Sequence, residues 1–167
     1  MTSYQKTVAA AFSGVAVLFA PALAVATLLS APVPAQGDQQ DHGTKPWVVD
    51  IEELTTSNQN FRTTWWTGNQ LQMAVMSLQP GEDIGLEVHQ KGDQFIRVEE
   101  GKARVQMGLS KTDLSYDKTV EDDWAMFIPE GHWHNITNTG KEELKVYVLY
   151  APPEHPAGTI HTTKASE

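Results

Sequence analysis

Residues 81–101, GEDIGLEVHQKGDQFIRVEEG, contain two strand-like stretches on either side of a turn at Gly92. In an extended strand, side chains two positions apart lie on the same face. Glu87 and His89 therefore point together, and Gln94 would face them across the hairpin. A carboxylate, an imidazole and an amide gathered in this way form a candidate ligand set. The alternative is a solvated strand with a Glu–His pair that binds nothing.

A second stretch, FIPEGHWHNITN at 127–138, has the same form of a turn followed by a strand-like run. The turn is Pro129-Glu130-Gly131, and the run carries His132 and His134. These two histidines share a parity, so a regular strand would point them to one face. The adjoining turn leaves that register open.

Short alternating runs separated by turn residues continue through the rest of the chain after residue 45. No sustained 3.6-residue period interrupts them, although Ile51–Thr56 has the length of a turn of helix. This pattern predicts an all-β domain, either a sandwich or a small barrel. The predicted strands are 46–50, 60–67, 70–78, 83–89, 94–99, 102–108, 124–128, 132–138 and 143–150.

Two spaced patterns carry a family resemblance: Gly81-x5-Glu87-x-His89-x4-Gln94-x6-Gly101 and Pro129-x-Gly131-x2-His134-x3-Asn138. They resemble the two motifs of the cupin superfamily, usually written G-x5-H-x-H-x3,4-E-x6-G and G-x5-P-x-G-x2-H-x3-N. Every spacing of the first motif is kept, and in the second Asp123 stands where the leading glycine is usual. The resemblance implies an all-β, single cupin (jelly-roll) barrel of two antiparallel sheets over 46–150, followed by a C-terminal tail, 151–167.

Carried over by position, the family's metal ligands fall on Glu87, His89, Gln94 and His134. The resemblance therefore implies a divalent metal cofactor, Fe, Mn, Ni or Zn, held by two imidazoles and one carboxylate. Gln94 would be a weak fourth ligand or a hydrogen-bond partner of the ligands. Asp93 competes with it but breaks the x6 interval to Gly101. A metal-free barrel is the remaining alternative.

Two further histidines are assigned to the surroundings of this site. His132 is interpreted as a rim or substrate-contacting residue. His161 lies in the tail sequence APPEHPAGTIHTTK, which is too rich in proline for a central strand. Two alternatives remain for this tail: it covers an edge of the barrel, or it brings His161 to the mouth of the pocket.

The N-terminal segment differs from the rest of the sequence. Val8–Leu29 is almost wholly apolar, but Pro21 divides it and leaves a first part of signal-peptide length. Residues 1–35 are therefore predicted to be a signal peptide cleaved after Ala35, with an uncleaved membrane anchor as the alternative. Residues 36–45 are predicted to be a flexible lead-in. The globular part is expected to be exported, either periplasmic or secreted.

Length and charge narrow the class of function. The chain has 167 residues, which suits one domain, and a formal net charge of −9 with a pI near 5.0. No basic patch is present, so a nucleic-acid partner is not expected. Cysteine is absent, which removes thiolate chemistry.

The leading functional hypothesis is a metal-dependent enzyme of the oxygenase or isomerase/lyase type, acting on a small organic molecule. The alternatives are a non-catalytic cupin that binds a sugar or another metabolite, and a metal-free structural domain. A small-molecule ligand is the expected partner, and a homodimer is a candidate assembly.

Overall fold

The computed structural model of the chain describes residues 41–166. The predicted signal peptide and residues 36–40 of the predicted lead-in lie outside the described residues. Within 41–166, no helix combines the length and the apolar character needed to cross a bilayer.

The described residues form two antiparallel sheets, which confirms the all-β prediction. One short helix, α1 (Ile51–Thr56), precedes them, and a 3-10 turn, Lys164–Ser166, follows. The strands are β1 (Arg62–Thr67), β2 (Gln72–Leu78), β3 (Asp93–Glu100), β4 (Lys102–Gly108), β5 (Tyr116–Glu121), β6 (Ala125–Ile128), β7 (Trp133–Asn138), β8 (Leu144–Ala151) and β9 (Ile160–His161). The larger sheet has the order β6-β3-β8-β2-β1-β9, and the smaller has the order β5-β4-β7.

The core lies between the inner faces of the two sheets, where apolar side chains alternate with outward ones along each strand. On β3 the buried side chains are Gln94, Ile96, Val98 and also Glu99, whereas Phe95 and Arg97 are only partly buried. The alternation of burial therefore holds from Gln94 to Val98 and breaks at Glu99, beside a register shift in the pairing with β8. Buried members from the other strands include Met76, Val105, Met126, Ile136, Leu144, Val146 and Val148.

The predicted strand at 46–50 is wrong, because this segment has no sheet partner and leads directly into α1. Asp50 is the N-cap of α1, and its side chain accepts a hydrogen bond from the Glu53 backbone at 3.1 Å. Trp47 is held instead by stacking, since its ring lies 4.5 Å from the ring of His42. Alternation alone did not reveal that a capping residue ended the extended run.

Strand β5 was not predicted from the sequence, and all of its residues except Val120 are exposed. As an edge strand it packs only one apolar side chain into the core, so it carries little hydrophobic signal. Its backbone pairing with β4 defines it instead, running from Lys102–Glu121 to Met107–Tyr116.

The C-terminal tail returns to the larger sheet and covers its β1 edge, as one of the two alternatives predicted. β9 pairs with β1 through Arg62–His161 and Thr63–Ile160. Gln72 holds the start of this return: its side-chain nitrogen donates to the carbonyl of His155 at 2.8 Å, and its oxygen accepts from the His155 backbone at 2.9 Å. The tail is thus hydrogen-bonded to the barrel both at its start and along β9.

Candidate metal centre

The segment predicted as a regular strand at 83–89 forms isolated bridges to β7 rather than a continuous strand. Asp83 pairs with Thr137, and Glu87 pairs with His134. The second bridge is a reciprocal backbone pair, with N–O distances of 3.0 Å and 2.9 Å between the two residues. Because directly paired residues carry adjacent side chains, this bridge places the Glu87 carboxylate beside the His134 imidazole.

Glu87, His89 and His134 meet in one cluster at this end of the barrel. Each offers a ligand atom, and these atoms all lie within 4.8 Å of one another. Glu87 Oε1 lies 3.2 Å from His134 Nε2 and 3.4 Å from His89 Nε2. His134 is fully buried, whereas about a quarter of the Glu87 side chain, 28%, is exposed. The cluster therefore has a buried floor and one side open to solvent.

The orientation of His134 suits a metal ligand. Its Nδ1 lies 2.9 Å from the backbone carbonyl of His132, which can only accept a hydrogen bond, so Nδ1 carries a proton. Metal-ligating histidines commonly donate their second ring N–H in this way. Nε2 is then the ring nitrogen that faces the Glu87 oxygen, 3.2 Å away, and a proton or a cation can lie between these two atoms.

The charge of Glu87 also suits a cation. Burial alone would raise the pKa of this carboxyl, but the hydrogen bond with His134 and the proximity of His89 lower the pKa to about 2. Glu87 is therefore a carboxylate at neutral pH. Borderline divalent cations such as Fe, Ni and Zn are bound well by imidazole nitrogens together with a carboxylate.

Two buried polar atoms near the cluster lack a well-formed hydrogen bond: Gln94 Oε1, and His89 Nε2, which lies 3.4 Å from Glu87 Oε1. Gln94 is at the start of β3 and pairs across the sheet with Tyr150 and Ile128. Buried polar atoms without a partner are costly, and a bound ion satisfies such atoms in many proteins. The residues present thus fit a divalent cation with ligands Glu87, His89 and His134.

Comparisons with known proteins agree with this fold. Residues 74–150 match the Cupin domain family. The chain is also 52% identical, over 126 residues, to the uncharacterized protein YrkC of Bacillus subtilis, an alignment that covers 75% of this chain and 68% of that protein.

The chain belongs to the cupin family.

Two other relatives extend the comparison. An uncharacterized protein of Acanthamoeba polyphaga mimivirus is 38% identical to this cupin over 115 residues, which cover 68% of this chain and 70% of that protein. A solved structure from Bacillus halodurans is 54% identical, with a TM-score of 0.75, over 76% of this chain and 96% of the solved chain. These similarities place the barrel and its two sheets within a known fold.

The cupin's interior contains a row of aromatic rings that leads away from the cluster. The ring of His89 lies 5.7 Å from that of Tyr150, which lies 5.1 Å from His155. His155 in turn lies 6.4 Å from His161. Buried Tyr150 follows the inward parity of Val146 and Val148, so its place could have been predicted from the sequence of β8. The position of His155 could not have been predicted, because it depends on the hydrogen bonds between the tail and Gln72.

His161 and His132 were both expected near the metal site, but they lie in two different parts of the barrel. His161 is partly buried on β9, and its Nδ1 is buried without a hydrogen bond, but it reaches the row of rings rather than the cluster itself. His132 precedes β7 and lines a separate cleft. Neither belongs to the group of three candidate ligands found among residues 41–166. Glu154, missed from the sequence, lies 3.4 Å from His89 Nδ1 and helps to orient that ring.

The stability of the metal-stripped cupin should decrease between pH 6.5 and pH 4 because of His155. Burial, with the nearby charge of Arg62, lowers the pKa of His155 from the ordinary value of 6.5 to about 4. The unfolded chain therefore takes up a proton at this residue before the folded chain does. The associated stability is complete above pH 6.5 and is lost as the pH falls to 4.

Urea unfolding at pH 7.5 and pH 5 would measure this effect in the wild type and in His155→Gln. The wild type should lose more stability than the variant between the two pH values. His132→Gln serves as a control for replacing a histidine near the same end of the barrel. An equal loss in the wild type and His155→Gln would contradict the assignment.

Proposed function

We propose that this cupin is a divalent-metal-dependent enzyme that acts on a small organic molecule, with chemistry of the oxygenase or isomerase/lyase type. The observation that carries the proposal is the cluster of Glu87, His89 and His134, whose ligand atoms lie within 4.8 Å of one another. A catalytic metal site uses few protein ligands and keeps coordination positions for substrate. When bound, such an ion supplies Lewis-acid polarisation of a substrate oxygen.

The protein groups around the cluster have distinct roles in this proposal. Glu87 supplies the negative charge, and the carbonyl of His132 fixes the ring of His134. Burial raises the pKa of Tyr150 to about 12, so its hydroxyl keeps its proton and can donate a hydrogen bond to a bound molecule. His155 is neutral at pH 7, because its pKa is about 4, and its buried Nε2 has no hydrogen-bond partner. Tyr150 and His155 therefore provide one donor and one group able to accept a hydrogen bond.

The test is metal analysis of the purified cupin followed by an activity screen. We expect about one divalent ion per chain, since the cluster offers one set of ligands. O2 uptake, and conversion of a panel of small carbonyl and hydroxyl compounds, should then be measured before and after stripping the metal. Metal-dependent uptake or conversion would support the enzyme. Metal bound without turnover would favour the non-catalytic binding cupin, and a chain that takes up no metal on reconstitution would contradict the proposal.

We further propose that the chain is exported, on the composition of its N-terminal segment. N-terminal sequencing of protein recovered from the envelope or medium of the source cells should then begin near Gln36, because cleavage is expected after Ala35. An intact Met1 in a membrane fraction would support the anchor instead. An intact Met1 in the soluble cytoplasm would contradict export.

A further inference from the structure

A cleft separate from the candidate metal cluster opens between the edge strands of the two sheets. It lies between β5 and β6 and has a volume of about 690 Å³. Its inner wall consists of the buried apolar residues Val105, Met107, Val120 and Met126. Small-molecule sites are typically apolar clefts of about 300–1,000 Å³, so this cleft has the size and character of one.

Aromatic side chains stand at the opening of the cleft. Trp124 is 51% exposed and Tyr116 is 52% exposed, although both belong to the lining. Such large apolar surface is normally covered, either within the protein or by a bound molecule. Aromatic rings in this position could pack against a flat or hydrocarbon ligand, and this contact would not bury polar groups of the protein.

One lysine faces the cleft from β5. Val120 is buried, so it marks the inner face of this strand, and Lys118 lies two residues before it on the same face. The neighbouring Asp117 points outward and is paired with Arg104, whose Nε donates a hydrogen bond to its carboxylate at 3.0 Å. Lys118 forms no ion pair with any residue in the described part of the chain.

The charge of the cleft is opposite to that of the protein as a whole. The full chain has a formal net charge of −9, yet no aspartate or glutamate lines the cleft, and Lys118 does. The net charge of the protein repels an anion, whereas the lining of the cleft itself carries a positive charge. The cleft is therefore complementary to a molecule with an apolar body and one negative charge.

We propose that the cleft between β5 and β6 binds a small apolar carboxylate. Lys118 would pair with the carboxylate, while Trp124 and Met107 would contact the hydrocarbon part. Met107 pairs across the sheet with the candidate ligand His134, so the cleft adjoins the strand that carries one of the three candidate ligands. The proposal depends on the cleft's own residues and holds whether or not the protein is an enzyme.

The test compares two probes of nearly the same shape, 1-naphthylacetate and its neutral analogue 1-naphthylacetamide. Each is titrated calorimetrically at low ionic strength into the metal-stripped full-length cupin, so that the metal cluster cannot bind the carboxylate through an ion. We expect the acid to bind about fivefold more tightly than the amide, the scale of one solvent-accessible ion pair. Added salt should reduce that preference.

Three variants test whether the probes bind in the cleft. Lys118→Gln should remove the preference for the acid, whereas Lys102→Gln, on the outward face of β4, should keep it. Trp124→Ala should weaken the binding of both probes, because it removes apolar contact area. All three positions are exposed, so the variants should fold.

Failure of both probes to bind at millimolar concentration would overturn the proposal. So would equal affinities for acid and amide, or a preference that persists in Lys118→Gln. None of these outcomes bears on metal binding by Glu87, His89 and His134, so the two proposals fail separately.

Discussion

His134→Ala should abolish tight binding of a divalent cation by the metal-stripped protein. His134 is fully buried, and its Nε2 faces Glu87 Oε1 at 3.2 Å, so the variant removes one of the three candidate ligands that cluster within residues 41–166. Two remaining ligands cannot close the coordination shell, and we expect affinity to fall by more than about 100-fold, beyond the loss typical of groups that only support a ligand. Calorimetric titration of Fe(II), Mn(II), Ni(II) and Zn(II) would measure the change.

Three variants control this experiment. His132→Ala changes a histidine two residues away that lies outside the cluster and should leave affinity nearly unchanged. Glu87→Gln keeps the shape of a partly exposed ligand but removes its charge, so it should weaken binding even if His134→Ala proves unstable. Gln94→Ala should lower the affinity for the cation by about 10–100-fold, as expected of a neutral group that supports the ligands. Equal affinities in the wild type, His134→Ala and Glu87→Gln would refute the metal site.

Gly92→Ala should strongly destabilise the barrel. Gly92 has a φ of +93°, which L-residues rarely adopt, and an added Cβ would lie 2.1 Å from the carbonyl oxygen of Ala151. The left-handed conformation costs about 1–2 kcal/mol, and the steric conflict with a backbone atom adds about 1–3 kcal/mol. We therefore expect the free energy of unfolding to fall by about 2–5 kcal/mol, as measured by urea denaturation.

Gly81→Ala is the matched control for this prediction. Gly81 has a similar φ of +82°, but an added Cβ there meets no atom within 4 Å. Its replacement should cost only the conformational part, about 1–2 kcal/mol. The difference between the two variants then measures the close approach of the turn at Gly92 to the end of β8. If Gly92→Ala were no more destabilising than Gly81→Ala, that close approach would be of no energetic consequence.

The sequence predicted the fold because alternation and turn residues report directly on exposed and buried faces. Burial alternates along β3 from Gln94 to Val98, and the two glycines of the first motif, Gly81 and Gly101, both lie at positive φ. Glu87, His89 and His134 could be nominated because their intervals matched a known pattern. Their meeting then follows from the bridge between Glu87 and β7.

Other features could not be predicted because they depend on contacts between residues distant in sequence. Segment 83–89 has the alternation of a strand, yet only two of its residues pair with β7. His155 joins the row of rings only because Gln72, 83 positions earlier, holds the tail by hydrogen bonds to its backbone. The apolar pattern of β5 is too weak to identify an edge strand that packs one side chain into the core.

The amino-acid sequence by itself determined the all-β class, the turn positions and the identity of the candidate ligands, since each of these depends on local conformational preference or fixed spacing. Only the tertiary structure decided which side chains lie together: the three candidate ligands, the rings of Tyr150 and His155, and the residues that line the cleft with Lys118. The physical reason is that strand pairing and tail docking are long-range contacts. Their partners are selected by packing of the whole barrel rather than by the residues beside them in the chain.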